Sequence, residues 1–201
     1  MATFVLIHGA AGSAWYWHLV EPELRQRGHD VVSMDLPVGD DSAGLAEYVE
    51  TVLEAIGDST ELVVVAQSFA GFTGPLLCER VDVDLLVMLN AMVPSPGERP
   101  ADWWENTGFE EAMSSAAERE GYSTDDPLSV FFHDVPPDVA AEALAAGEPV
   151  QSGTPLEKPW PPRRCAQPSH GAGRAIGLLC GRAGGVGRLR EWRLRPMSFS
   201  S

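Results

Sequence analysis

Three observations predict an α/β fold, a mostly parallel sheet with flanking helices. Apolar runs of strand length alternate with helical segments through residues 1–93. The run LVVV at 62–65 is continuous in β-branched residues, as a strand covered on both faces requires. Between two such runs, Leu45, Val49, Val52, Leu53 and Ile56 fall on one apolar stripe of helical period.

The elements follow in order. Thr3 to Ile7 reads as a short buried strand, and HGAAGSAWYW after it as a loop rich in glycine and alanine. Residues 15–27 suit a helix ending at Gly28, a residue type that terminates helices by taking positive φ. Val31 to Met34 forms the second strand, closed by Asp35 and a proline turn. The striped helix comes next, with Ser42 or Asp41 to cap its start and Gly57 its end. Leu62 to Val65 is the third strand, Phe69 to Arg80 a helix, and Leu85 to Leu89 the fourth strand. Pro75 inside that helical window means the helix is kinked or starts late. Residues 94–160 are rich in Ala, Glu and Pro and lack a strand period; they read as a helical cap over the sheet.

Composition bounds the rest. A chain of 201 residues fits one domain, here residues 1–162. Cys78, Cys165 and Cys180 form no CxxC and no ligand spacing, which argues against a disulfide scaffold or a metal site and suits a reducing compartment. The start lacks a basic leader, Phe4 to Ile7 is too short for a signal peptide, and no run reaches membrane-spanning length. The expectation is a cytoplasmic protein with no membrane partner. Residues 1–162 carry 28 acidic against 6 basic side chains, which disfavours nucleic acid as a partner. Residues 163–201 invert this, with 8 arginines against Glu191 alone, and hold seven glycines. Arginine without aromatic or motif support is an unspecific signal for nucleic acid. That segment shows no sustained period, its longest apolar run being Ile176 to Cys180. It reads as a disordered tail or non-native sequence, the product of a shifted reading frame after about Pro162.

Chemistry concentrates at AQSFAG, 66–71. A strand that turns sharply into a helix lifts a serine into reach of substrate, provided the serine takes positive φ and its neighbours two positions away are small. Ser68 has Ala66 and Ala70 at those positions, with Gly71 next. A following helix would point N–H groups at the serine and favour negative charge there. The plainer alternative is a serine capping a helix after a buried strand. HGAAG adds to the first reading: the N–H groups of Ala10 and Phe69 could face one oxyanion, where losing one donor typically costs ~3 kcal/mol of barrier. His8 itself suits a structural place in the turn, as do His18, His29 and His133 in theirs. Asp102 and Asp134 are cap carboxylates with no evident partner.

FVLIHGAAGSAWYW, GHDVVSMDLP and VVVAQSFAGF together resemble, in order and spacing, the α/β-hydrolase superfamily. The likeness covers residues 3–93 and is closest to the cofactor-free branch of plant methylesterases and hydroxynitrile lyases and their bacterial relatives. It implies a Ser-His-Asp triad with Ser68 as nucleophile, an oxyanion hole at Ala10 and Phe69, a helical cap from 94–160, and neither cofactor nor metal. Alanines stand here for the usual elbow glycines, and Gln67 where the branch often has histidine. The larger departure lies downstream, where the family supplies its acid and histidine. Gly181-Arg182-Ala183 offers no carboxylate, and His170 precedes the one strand-like run, against the family's order.

The sequence therefore suggests a serine hydrolase for a small ester or related acyl compound, incomplete at the C-terminus. Its alternatives are a non-catalytic ligand-binding or truncated pseudoenzyme, and a lyase on the same scaffold. Trp15, Trp17, Trp103 and Trp104 either line an apolar pocket or pack in core and cap.

Overall fold

The computed structural model describes residues 1–147, 150–161, 174–178 and 190–192. Its strands form one sheet, in the order β2-β1-β3-β4-β5-β6. They are β1 (Thr3–Ile7), β2 (Asp30–Ser33), β3 (Leu62–Gln67), β4 (Leu85–Leu89), β5 (Arg174–Leu178) and β6 (Arg190–Trp192). The first five are parallel, and β6 runs antiparallel to β5. Along β3, Leu62, Val64 and Ala66 are buried while Val63, Val65 and Gln67 are half-buried, so one face is closed and the other partly covered.

β2 lies on one side of β1 and β4 beyond β3 on the other, so the connection after β1 leads one way and the connection after β3 the opposite way. The loops after β1 and β3 therefore part at the strands' carboxyl ends. In parallel sheets this switch point opens a crevice that binds ligands.

Proline and glycine decide where the helices depart from expectation. Residues 15–27 do not form one helix: a 3-10 turn at Ala14–Trp17 precedes α1 (Val20–Gln26). Pro22 would sit mid-helix in the longer span, but in α1 it falls in the first turn, where no N–H is needed. The helix expected at 69–80 is likewise a 3-10 turn, Ser68–Gly71, and then α3 (Thr73–Leu77), with Pro75 in its first turn. Helix α2 (Leu45–Ile56) starts at Gly44, not at Ser42 or Asp41. Glu47 folds back to accept the Gly44 N–H at 2.8 Å, while the Ser42 hydroxyl donates to Asp40 at 2.6 Å. Tyr48, off the predicted stripe, is buried beside Val49, Val52 and Ile56.

The described residues of 94–160 form α4 (Trp103–Thr107), α5 (Phe109–Glu120), α6 (Pro127–Phe131), α7 (Pro137–Ala146) and α8 (Thr154–Glu157). The segment is closed on itself. Trp160 N–H donates to Glu98 O at 2.7 Å and Gly97 N–H to Trp160 O at 3.0 Å. The buried Trp160 indole donates to Phe72 O at 3.0 Å, fixing this junction to the residue after the elbow. No helix among the described residues is long and apolar enough to cross a membrane.

Arg174–Leu178 pairs with β4 in parallel, so the run at 176–178 does form a strand, and Arg190–Trp192 pairs with it. The β-branched Ile176 and its apolar neighbours suit a sheet position despite Gly177. The rest of the segment, with His170 and Gly181-Arg182-Ala183, lies outside the described residues, as do Cys165 and Cys180.

Candidate active site

Ser68 stands at the carboxyl end of β3 with φ at +52°, a conformation non-glycine residues seldom take. Three close approaches hold it there. A Cβ on Gly71 would lie 1.9 Å from Met92 O, so only glycine fits between the elbow and the strand-β4 loop. Met92 N–H donates to Ser68 O at 2.9 Å across the same contact. On the other side, a Cβ on Gly9 would fall 2.8 Å from Ser68 Cβ and 2.7 Å from Gln67 Oε1. Ala66 and Ala70 are buried in the turn. Such strain persists only where the surroundings over-determine it.

The loop after β1 is fastened to this elbow through its main chain. Gly9 N–H donates to Gln67 Oε1 at 2.8 Å, Ala11 N–H to Gln151 Oε1 at 3.1 Å, and Gly12 N–H to Gly9 O at 3.3 Å. Ala10, exposed between them, keeps an N–H with no partner among the described residues. Phe69, second in the 3-10 turn, lies in the stretch whose N–H groups helical geometry leaves unpaired. Ala14 N–H donates to Asp35 at 2.7 Å, tying the far end of the loop to the residues after β2. The turn after Ser68 is short and α3 has five residues, so no long helix starts at the serine as the sequence suggested.

His8 is 1% exposed and fully engaged. Leu36 N–H donates to its Nε2 at 3.1 Å, so its proton sits on Nδ1 and is given to Gly9 O at 2.8 Å. Burial pushes its pKa below the usual imidazole value, opposed more weakly by the Gly9 carbonyl and by Asp35. Gly12 closes over it, within 3.0 Å of Nδ1 for an added Cβ. The imidazole is thus a neutral brace under the loop.

Ser68 is half-buried, and its hydroxyl has no hydrogen-bond partner among the described residues. His18 takes up the Trp15 carbonyl at 2.8 Å and stacks on that indole, with ring centroids 4.3 Å apart. His29 packs edge-on against Phe4 and accepts from Ala2 N–H, at the opposite end of the sheet from the elbow. His133 and Asp134 approach to 4.0 Å within the cap, and Asp102 is held by Arg99 at 2.6 Å. None of these is brought to Ser68.

The tryptophans divide. Trp15 is half-buried against His18 and Trp17 is buried in the loop that follows β1. Trp103 donates to Val93 O at 3.2 Å and lies edge-on to Trp104, both packed on the core. Sequence reasoning missed Gln67 and Gln151 as loop anchors. Gln67 had a signal, its place beside the serine; Gln151, 140 residues from Ala11, had none. No group of three or more metal-ligating side chains occurs among the described residues.

A profile described as the alpha/beta hydrolase family matches residues 4–195. Methylesterase 9 of Arabidopsis thaliana is 28% identical over 152 residues, 66% of this chain and 57% of that protein. Polyneuridine aldehyde esterase of Rauvolfia serpentina is 30% identical over 105 residues, 46% of this chain and 40% of that one. An alpha-hydroxynitrile lyase of Arabidopsis thaliana is 29% identical over 110 residues, covering 49% and 43%. The chain spans about half the length of these curated relatives. Among solved structures, an extracellular alpha/beta-hydrolase from a Paenibacillus species shares the fold, with a TM-score of 0.66 at 20% identity over 89% of this chain and 78% of that one.

Proposed function

The chain belongs to the alpha/beta hydrolase family, and from that membership and the elbow geometry we propose a serine hydrolase of small esters or related acyl compounds. Ser68 Oγ attacks the acyl carbon, and the developing oxyanion settles between the Ala10 and Phe69 N–H groups. The unclaimed Ala10 N–H, flanked by two neighbours that are both tied down, is the observation that carries this reading. Preorganised donors of this kind need no rearrangement as charge develops. Esterases among the relatives support the substrate class.

A serine hydroxyl is a poor nucleophile at neutral pH without an adjacent base. None of the four described histidines reaches Ser68, which favours a second reading, an inactive member of the family that retains the oxyanion loop. The composition break near residue 162 fits a shifted frame that replaced the acid and histidine. The lyase named above is a relative of similar identity, so cyanohydrin cleavage is the variant chemistry on this scaffold.

Incubation with a fluorophosphonate probe separates the two readings. Labelling of the wild type, absent from Ser68→Ala, is the outcome the hydrolase reading predicts; an unlabelled wild type supports the inactive one. The loop itself remains the feature to be explained in either case.

A further inference from the structure

Gln151 lies on the segment returning from the cap, far in sequence from the elbow, yet its side chain meets the proposed oxyanion loop. Oε1 accepts Ala11 N–H at 3.1 Å. Nε2 faces Ser152 O at 3.1 Å, Tyr48 Oη at 3.0 Å and Val38 O at 3.4 Å. The neighbours fix the amide's orientation: a main-chain N–H can face only the oxygen, and two carbonyls only the nitrogen. The backbone beside it is itself stitched in place, Ser152 N–H to Val38 O at 2.7 Å and Thr154 Oγ1 to Asp41 O at 2.6 Å.

Ala11 is held at φ +51°, where an alanine is disfavoured. It follows Ala10 directly: the hydrogen bond at its N–H fixes the plane of the Ala10–Ala11 peptide, which hinges at the Ala10 Cα on the Gly9–Ala10 peptide that carries the Ala10 N–H. Gln67 pins the N–H on the other side of Ala10, at Gly9. Two glutamine oxygens from distant parts of the chain thus take the flanking donors and leave the central one without a partner among the described residues.

Resting on the serine-hydrolase reading, we propose that Gln151 is a positioning residue of the oxyanion loop. It holds Ala11 in the left-handed region, aims the Ala10 N–H at the acyl oxygen, and couples that aim to the return of the cap. It touches no substrate and acts through Ala11 alone.

The test measures, on the full chain, amide hydrogen exchange at Ala10 and Ala11 and the rate of fluorophosphonate labelling at Ser68. Gln151→Ala is compared with Thr154→Val, which cuts a neighbouring anchor of the same segment and leaves Gln151 intact. Positioning predicts exchange at Ala11 at least tenfold faster in Gln151→Ala, with Val5 and Val64 amides unchanged, and labelling slowed tenfold or more. Thr154→Val should stay within about twofold on both measures. Wild-type exchange at Ala11 in Gln151→Ala, or equal effects from both variants, overturns the proposal. Should the wild type resist labelling, the hydrolase reading fails while exchange at Ala10 and Ala11 still decides the role of Gln151. If Gln151→Ala unfolds, shown by loss of Val5 and Val64 protection, Gln151→Glu decides: its carboxylate keeps an acceptor for Ala11 but opposes the Val38 and Ser152 carbonyls. Protection at Ala11 that rises at least threefold as that carboxyl protonates supports positioning; protection independent of its charge refutes it.

Discussion

The sheet half and the cap are built on different terms. Residues 1–93 bury large side chains, among them Tyr48, Phe72, Leu77 and the β-branched residues of β1 and β3. Between residues 105 and 147 the buried apolar residues of the cap are small (Ala117, Ala140, Ala143), and Phe109, Leu128, Phe131 and Leu144 stand exposed; the large Trp160 is buried only where the segment returns to the sheet half. Apolar area removed from water is the main favourable term in folding, so the sheet half carries the stability and positions the elbow. The cap is fastened mainly where it leaves and returns, through Trp160 and the segment around Gln151.

The sharpest way to break this contrast is at the elbow itself. Gly71→Ala forces a Cβ into the Met92 carbonyl, which must move and take the Met92–Ser68 hydrogen bond with it. We expect a loss of roughly 3 kcal/mol or more by urea unfolding, as overpacking against backbone allows no cheap relief. Next in size is a matched pair of truncations. Phe72→Ala removes a ring with no exposed surface and should cost about 3–5 kcal/mol. Phe131→Ala, at 71% exposure in the cap, should stay within about 0.5 kcal/mol. Equal costs would erase the distinction between the two regions.

A smaller effect should appear with pH. The folded state holds His8 neutral, with its pKa below the free value, so the unfolded chain binds the proton more readily. This contribution is complete above the ordinary imidazole value near 6.5. It declines as pH falls through that value and levels off once the folded His8 also protonates. The urea midpoint of the wild type should therefore drop more between pH 7.5 and 5.5 than that of His8→Asn; parallel curves would contradict the buried neutral brace.

Much of the sheet half is legible in the sequence because burial writes itself as pattern. β1 and β4 coincide with Thr3–Ile7 and Leu85–Leu89, and Val31–Met34 is displaced by one residue from β2. Proline sets where the helices begin: Pro75 signals the late start that α3 shows, whereas the helical period over 15–27 hides the same effect of Pro22 on α1. The start of α2 moved to Gly44 because Ser42 serves Asp40 instead, a competition between neighbours that no cap preference resolves. At the site, Ser68 and the glycine loop stand out by residue type. The fastening by Gln151 does not, since an amide meeting a main-chain N–H across the fold leaves no trace in local pattern.

With Ser68 as nucleophile, a substrate oxygen would sit between the Ala10 and Phe69 amides. A crystal structure of the protein after fluorophosphonate treatment tests it most directly. Phosphorus should be bonded to Ser68 Oγ, with the phosphoryl oxygen about 3 Å from both the Ala10 and Phe69 nitrogens. An adduct on another residue, or a phosphoryl oxygen turned away from Ala10, would contradict it.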